Sequence, residues 1–173
     1  MNPARAYALA VHGDQQYGDK PYAVHLDAVA ALAKPYGAEA VTVAYLHDTV
    51  EDTDATLADI EARFGIHIAT CVGLLTDEAG ATRKERKAKT YAKMARIRGN
   101  AELALIVKAA DRLANVRACI ASQRAAQWAV YQGEHAAFRN AAFRAGQCDA
   151  LWHELDQLLS EAHRPLPSQD EPP

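Results

Sequence analysis

The sequence predicts an all-α protein of about eight to ten helices. Three observations carry that expectation. Alanine, leucine and arginine dominate, while glycine and proline are scarce ahead of the C-terminal tail. Apolar residues recur at helical spacing in one segment after another. The gaps between those segments are punctuated by Gly, Pro or Asn. At 173 residues the chain is read most simply as one domain, residues 1–163, long enough to bury a full core.

Residues 3–12 read as a first short helix. The turn-rich stretch GDQQYGDKP, 13–21, reads as a loop. From Pro21 to Lys34 the residues Tyr22, Leu26, Val29 and Leu32 mark one apolar helix face, and Pro35 and Gly37 end it. A helix over about 38–49 places Val41, Ala44, Tyr45 and Asp48 on one face. The acidic stretch EDTDAT follows, with Asp54 or Thr56 as the cap of a helix over about 56–63. That helix stops near Phe64-Gly65, and another covers about 66–76. After a loop to Thr82, a basic helix runs over about 83–98. Gly99-Asn100 interrupt, and an apolar helix runs over about 101–119. Residues 123–144 and 147–163 close the bundle, with Trp128, Phe138, Phe143 and Trp152 as packing residues. The polar, proline-rich tail, 164–173, is expected to be disordered.

Composition excludes several function classes. The net charge of −3 supplies no general field for nucleic acid or anionic membrane. The basic run Arg83–Arg98 lacks interleaved aromatics, so it reads as a solvated or phosphate-facing surface rather than a nucleic-acid platform. No segment approaches the roughly 18 apolar residues of a membrane span. The N-terminus carries no long apolar core or cleavage signature. Cys71, Cys119 and Cys148 are odd in number and isolated, which suits reduced, buried thiols in a cytoplasmic protein. A homodimer is left open.

The chemistry concentrates around His47-Asp48-Thr49-Val50-Glu51-Asp52. Asp111 lies in LALIVKAADRLANV, on a helix whose other face is apolar, and a buried carboxylate without a partner costs several kcal/mol. A divalent cation is one partner that removes this cost. Asp48 repeats the situation at the end of its own apolar stripe, with His47 beside it, and His25 faces inward between Tyr22 and Val29. Two imidazoles and two carboxylates from three helices leave coordination positions for water and substrate, and suit Mn²⁺, Fe²⁺ or another octahedral cation such as Co²⁺ better than structural zinc. A further helical turn would carry Glu51 beside such a cation without binding it. In residue chemistry alone, a helix-end histidine, a salt-bridged aspartate and a solvated acidic loop fit the same letters. Lys108 and Asn115 share the helix face of Asp111. His67, His135, His153 and His163 belong to no constellation.

The order His25, His47-Asp48, Asp111 resembles the H…HD…D signature of the HD-domain phosphohydrolases. The fuller strings PYAVHL, AYLHDTVEDT, LTDE, RKERK and VKAADRLANV resemble the hydrolase domain of the RelA/SpoT proteins and the stand-alone small alarmone hydrolases, over about residues 3–120. That resemblance implies a compact HD-type bundle and one Mn²⁺ held by His25, His47, Asp48 and Asp111. It implies that Glu51 and Asp52 activate the attacking water. It implies removal of the 3′-pyrophosphate from a nucleoside 3′,5′-polyphosphate such as (p)ppGpp. It assigns Arg83 to phosphate, and Asn115 and Tyr131 to the nucleotide. Lys84 or Lys87 of the same basic helix is read as a further phosphate contact, because a substrate with several phosphates needs cations around it. His12 and Lys108 fall behind the ligands, supporting them rather than touching the cation.

The chain departs from the family pattern in its first helix. Where relatives carry an Arg-Lys-His run, it has Ala10-Val11-His12, so the base is open between guanine and adenine. With no synthetase segment after residue 163, only degradation is expected. Two further readings remain: another HD-type phosphohydrolase releasing orthophosphate, and a non-catalytic nucleotide-binding protein.

Overall fold

A computed structural model describes residues 2–165. Among them are ten α-helices and one two-stranded hairpin, in the order α1 (Pro3–His12), β1 (Gln16–Tyr17), β2 (Lys20–Pro21), α2 (Ala23–Ala33), α3 (Ala38–Leu46), α4 (Thr49–Asp52), α5 (Leu57–Phe64), α6 (Ile66–Leu75), α7 (Arg83–Met94), α8 (Leu103–Ala121), α9 (Ala125–Ala142) and α10 (Asp149–Leu158). The all-α expectation holds. Apart from Arg164 and Pro165, the tail expected to be disordered lies outside the described residues.

Local chemistry sets most of the ends. Asn2 caps α1, its side chain accepting the amides of Ala4 and Arg5, and Pro3 follows where its missing N–H costs nothing. Thr56, rather than Asp54, caps α5 through a reciprocal capping box with Asp59. Thr82 caps α7. Gly65 joins α5 to α6 at φ 87°, a backbone region closed to most side chains.

Several boundaries differ from expectation, among them the last helix, which ends at Leu158 rather than near 163. The 13–21 loop contains the hairpin, which pairs Gln16 with Pro21 and Tyr17 with Lys20. The helix expected over 38–49 breaks at His47-Asp48, and a separate four-residue turn, α4, carries Glu51 and Asp52. The basic helix ends at Met94, four residues early, and the first turn of the 101–119 helix is a 3₁₀ turn, Gly99–Glu102.

Helix α8 is the axis of the fold, in contact with α2, α3, α6, α9 and α10. Every residue from Val107 to Ala114 is buried, including Lys108, Asp111 and Arg112. Alanines at 104, 109, 110 and 114 keep its neighbours close, so the polar residues among them lie inside the protein. Trp128 of α9 is fully buried, and its indole N–H donates to the Leu158 carbonyl at 2.9 Å. Phe138, Phe143 and Trp152 pack together between α9 and α10, with ring centroids 5.1 and 5.9 Å from Trp152. Each such aromatic contributes about 1.5–3 kcal/mol by burial. Arg5 grips Asp27 through two hydrogen bonds of 2.7 and 2.8 Å, and Tyr45 donates to the same carboxylate. The contact ties α1, α2 and α3 into one register, although its exposure limits it to about 1 kcal/mol or less.

Candidate metal centre

The three helix segments that carry His25, His47-Asp48 and Asp111 meet where α2 and α3 cross α8. His25 Nε2 lies 3.4 Å from His47 Nε2 and 3.4 Å from Asp111 Oδ1. His47 Nε2 lies 2.9 Å from Asp48 Oδ2 and 3.6 Å from Asp111 Oδ1. Asp48 Oδ2 is 3.7 Å from His25 Nε2. One donor atom each from His25, His47 and Asp111 falls within a sphere narrow enough for a single ion.

The break at His47-Asp48 makes this convergence possible. In an unbroken helix, adjacent side chains point about 100° apart. Here Asp48 sits at φ −102°, ψ −4° between α3 and α4, so both side chains face the same point. His47 Nδ1 donates to the Ala44 carbonyl at 2.7 Å. That bond spends the ring's proton on the backbone and leaves the Nε2 lone pair aimed at His25, Asp48 and Asp111. Two imidazole nitrogens facing each other cannot bond to one another without a cation or proton between them.

The electrostatics favour positive charge at the same point, whether a proton on the imidazoles or a cation between them. Burial pushes the His47 imidazole toward neutrality, but Asp48 and Asp111 outweigh it and hold its pKa well above the ordinary value. His25 follows the same pattern less strongly. Burial alone would raise Asp111, yet the two histidines and Lys108 hold it well below the usual carboxylate range. The pocket favours positive charge. Its nitrogen and oxygen donors fit a divalent cation.

A ring of contacts supports the donors. The Tyr22 hydroxyl donates to Asp48 Oδ2 at 2.5 Å and lies 3.1 Å from Asp52 Oδ2. His12 stacks on the Tyr22 ring at 4.5 Å and bonds Gln15, whose amide reaches Asp52 at 3.2 Å. Asn115 donates to Asp111 Oδ1 at 2.6 Å and accepts from the Tyr17 hydroxyl at 2.6 Å. Tyr17 in turn stacks on His25. Lys108 is buried 3.6 Å from Asp111 Oδ2. Tyr17 and Gln15 were not singled out in the sequence, and Tyr22 was read as apolar. Their positions beside His25 and His12 were the signal.

Glu51 accepts the Asp77 amide at 2.9 Å. It is crowded although its outer edge stays open. Desolvation, reinforced by the Asp77 and Asp48 carboxylates, raises its pKa against the pull of that amide and of Lys108. The cationic residues are engaged further out. Arg83 makes a two-pronged ion pair with Glu134, at 2.8 and 3.2 Å, which also pairs with Arg112. Tyr131 lies under the Arg112 guanidinium at 4.7 Å. Lys84 is exposed beside Arg83. Lys87 donates to Asp77 at 2.6 Å in a mostly buried pair. His135 of α9 pairs with Asp156 of α10.

The Lys87–Asp77 pair makes a pH prediction. Burial works against the charged Asp77, but Lys108 and Lys87 overcome it and lower its pKa. Asp77 attracts Lys87, yet burial and Lys108 lower that lysine's pKa too. The carboxylate's contribution is therefore full above its unfolded pKa of about 3.9 and is lost as pH falls through the lower folded value. Urea titrations should show Asp77→Asn less stable than the parent chain at pH 6–7, with the difference fading below about pH 4. A gap that stays constant through acid would reject the ion-pair account.

Comparison with known proteins gives a consistent result. The profile of the family described as HD domain matches residues 4–148. A guanosine-3′,5′-bis(diphosphate) 3′-pyrophosphohydrolase of Aquifex aeolicus is 35% identical over 118 residues, 65% of this chain and 17% of that protein. The protein of Danio rerio named guanosine-3′,5′-bis(diphosphate) 3′-pyrophosphohydrolase MESH1 is 34% identical over 118 residues, 64% of each. The chain thus spans less than two thirds of the length of these relatives. In fold it is similar to a metazoan SpoT orthologue described as hydrolysing ppGpp, with a TM-score of 0.69 at 23% identity over 89% of this chain and 92% of that one. It is also similar to lmo0812 of Listeria monocytogenes, with a TM-score of 0.67 at 24% identity over 83% and 96%.

Proposed function

The chain belongs to the HD-domain family, and we propose that within it the protein removes the 3′-pyrophosphate of a nucleoside 3′,5′-polyphosphate alarmone. One observation supports the reading: donor atoms of His25, His47 and Asp111, from three helix segments, gather at one buried point, with Asp48 beside the two histidines and two further carboxylates on the next turn.

In this reading His25, His47, Asp48 and Asp111 hold a single Mn²⁺, with Fe²⁺ or Co²⁺ as alternatives suited to the same nitrogen and oxygen donors. A cation held there would lower the pKa of a bound water and provide Lewis-acid polarisation at phosphate. Glu51, with its raised pKa and the Asp77 amide fixing its direction, takes the proton of the attacking water. Asp52, steadied by Tyr22 and Gln15, orients that water. Lys108 balances the charge of Asp111, and His12 steadies Tyr22. Asn115 stands beside the sugar. Arg83, Lys84 and Lys87 receive the phosphates, which compete with Glu134 and Asp77 for the same cations, and Tyr131 borders the nucleotide. The water oxygen joins the phosphorus on the 3′ side, the bond to the 3′ oxygen breaks, that oxygen takes a proton, and pyrophosphate leaves.

Among the described residues no helix is long and apolar enough to cross a membrane. The three thiols are buried and unpaired, which suits a reducing compartment, and we place the protein in the cytoplasm. The test is product analysis by mass after incubation with Mn²⁺ and guanosine 3′,5′-bis(diphosphate). GDP and pyrophosphate are expected. Orthophosphate would favour a different HD phosphohydrolase, and binding of a nucleotide panel without turnover a non-catalytic role.

A further inference from the structure

The β1–β2 hairpin pairs Gln16 with Pro21 and Tyr17 with Lys20, and a two-stranded hairpin is marginal at best on its own. Side chains hold it in place, and they end on the donor cluster. Gln15, just ahead of it, reaches Asp52 at 3.2 Å, and Tyr22, just after it, reaches Asp48 at 2.5 Å. Gly18, at φ 64°, turns the chain between the two strands. Tyr17, on the near side of that turn, lies against His25 and Asn115.

Tyr17 makes two contacts there. Its ring lies nearly parallel to the His25 imidazole, with centroids 4.7 Å apart and an interplanar angle of 15°. Its hydroxyl donates to Asn115 Oδ1 at 2.6 Å, and Asn115 Nδ2 donates in turn to Asp111 Oδ1 at 2.6 Å. The phenol proton calls for the oxygen end of the amide, so the nitrogen end is turned to Asp111. One side chain from the hairpin therefore bears on the donors of both α2 and α8.

The two histidines are oriented by different means. A metal-binding imidazole is commonly fixed by a hydrogen bond from its second nitrogen. His47 has one, from Nδ1 to the Ala44 carbonyl. The described residues offer none to His25 Nδ1, and the polar contacts of that ring are all at Nε2. Tyr17 covers the face of the His25 ring instead, and Tyr22 meets it edge-on with centroids 5.6 Å apart.

We propose that Tyr17 is a positioning residue of the metal centre, its ring setting the plane of His25 and its hydroxyl, through Asn115, the aim of Asp111. The proposal rests on the reading of these donors as metal ligands. Tyr17 itself touches no ion. It acts by holding two donors from separate helices in their binding arrangement before the cation arrives, which raises affinity without adding a ligand.

The test is calorimetric titration of Mn²⁺ into the nucleotide-free full chain. Melting temperatures without metal and turnover of guanosine 3′,5′-bis(diphosphate) are measured beside it. Tyr17→Phe keeps the stack and loses the hydrogen bond, whereas Tyr17→Leu loses both. Mn²⁺ should bind about tenfold more weakly to Tyr17→Phe and about a hundredfold more weakly to Tyr17→Leu, the range for groups that support metal ligands. The loss caused by Tyr17→Phe should vanish in an Asn115→Ala background, because the hydroxyl acts only through that amide. The metal-free melting temperature of Tyr17→Phe should match the parent's. Parental Mn²⁺ affinity in Tyr17→Phe, equal losses in Tyr17→Phe and Tyr17→Leu, additive losses with Asn115→Ala, or a loss matched by earlier melting of Tyr17→Phe would each overturn the proposal. Graded losses in a chain that turns over no nucleotide would keep the positioning role and reject the hydrolase reading; turnover with one Mn²⁺ affinity across all variants would do the reverse.

Discussion

Asp111→Ala should abolish cation binding and turnover together. The Asp111 carboxylate reaches both imidazoles, at 3.4 and 3.6 Å, and receives Asn115 at 2.6 Å. Without it, two lone pairs and Asp48 are left to hold an ion that α8 no longer touches. Lys108, buried beside the lost group, would be left without its nearest counter-charge. Removing one partner of a buried pair costs about 3–5 kcal/mol, so the alanine variant is also expected to melt earlier. Asp111→Asn keeps the shape and separates the two effects: it should fold, yet bind Mn²⁺ at least about tenfold more weakly and lose turnover to background. If Asp111 were only a salt-bridged core residue, calorimetric titration would find Mn²⁺ bound to Asp111→Asn as tightly as to the parent chain. That result would remove the proposed centre.

Glu51→Gln should separate binding from chemistry. Glutamine retains an oxygen for the Asp77 amide and nearly the same volume, so the turn α4 and the cation affinity should persist. It cannot accept the proton of the attacking water, and kcat should fall by about 10²–10⁴-fold, the usual worth of a positioned general base. The pH profile adds a second readout. Because the Glu51 pKa is raised, the parent chain should lose activity as pH falls through that raised value and the base becomes protonated. That acid limb should be missing from the residual activity of Glu51→Gln. Equal kcat in variant and parent would take Glu51 out of the mechanism.

Much of the bundle was legible because its punctuation is local. Pro35, Gly37 and Gly65 stop helices by backbone geometry, and Asn2, Thr56 and Thr82 start them with their own side chains. The misses have distant causes. Nothing in Ala95-Arg96-Ile97-Arg98 forbids a helix. It ends at Met94 where Arg144, from beyond α9, takes the Met94 and Ile97 carbonyls, and Arg98 takes those of Ala95 and Ile97. The hairpin at Gln16–Pro21 is too short to show strand alternation.

The site divides the same way. His25, His47, Asp48 and Asp111 could be named because ionisable residues interrupt apolar stripes in an order that resembles a known signature; the structure groups donor atoms of His25, His47 and Asp111 and sets Asp48 against His47. The break after His47 carries no Gly or Pro. It is held by Thr49, whose hydroxyl donates to the Leu46 carbonyl at 2.7 Å, and by the Ala44 carbonyl on the His47 ring. The engagement of Arg83 by Glu134 and of Lys87 by Asp77 depends on partners 51 and 10 residues away. No reading of a basic run in isolation would reveal it.

The interruption between α3 and α4 also bears on how the proposed ion would come and go. In the proposed centre His47 and Asp48 would grip the ion from two consecutive residues, with donor atoms 2.9 Å apart. Their spacing is set by one peptide unit and survives small shifts of the bundle. His25 and Asp111 close the grip from other helices. Release of the ion is then a matter of α2 and α8 drawing back from that pair, so exchange kinetics should follow the breathing of the bundle rather than the flipping of single side chains.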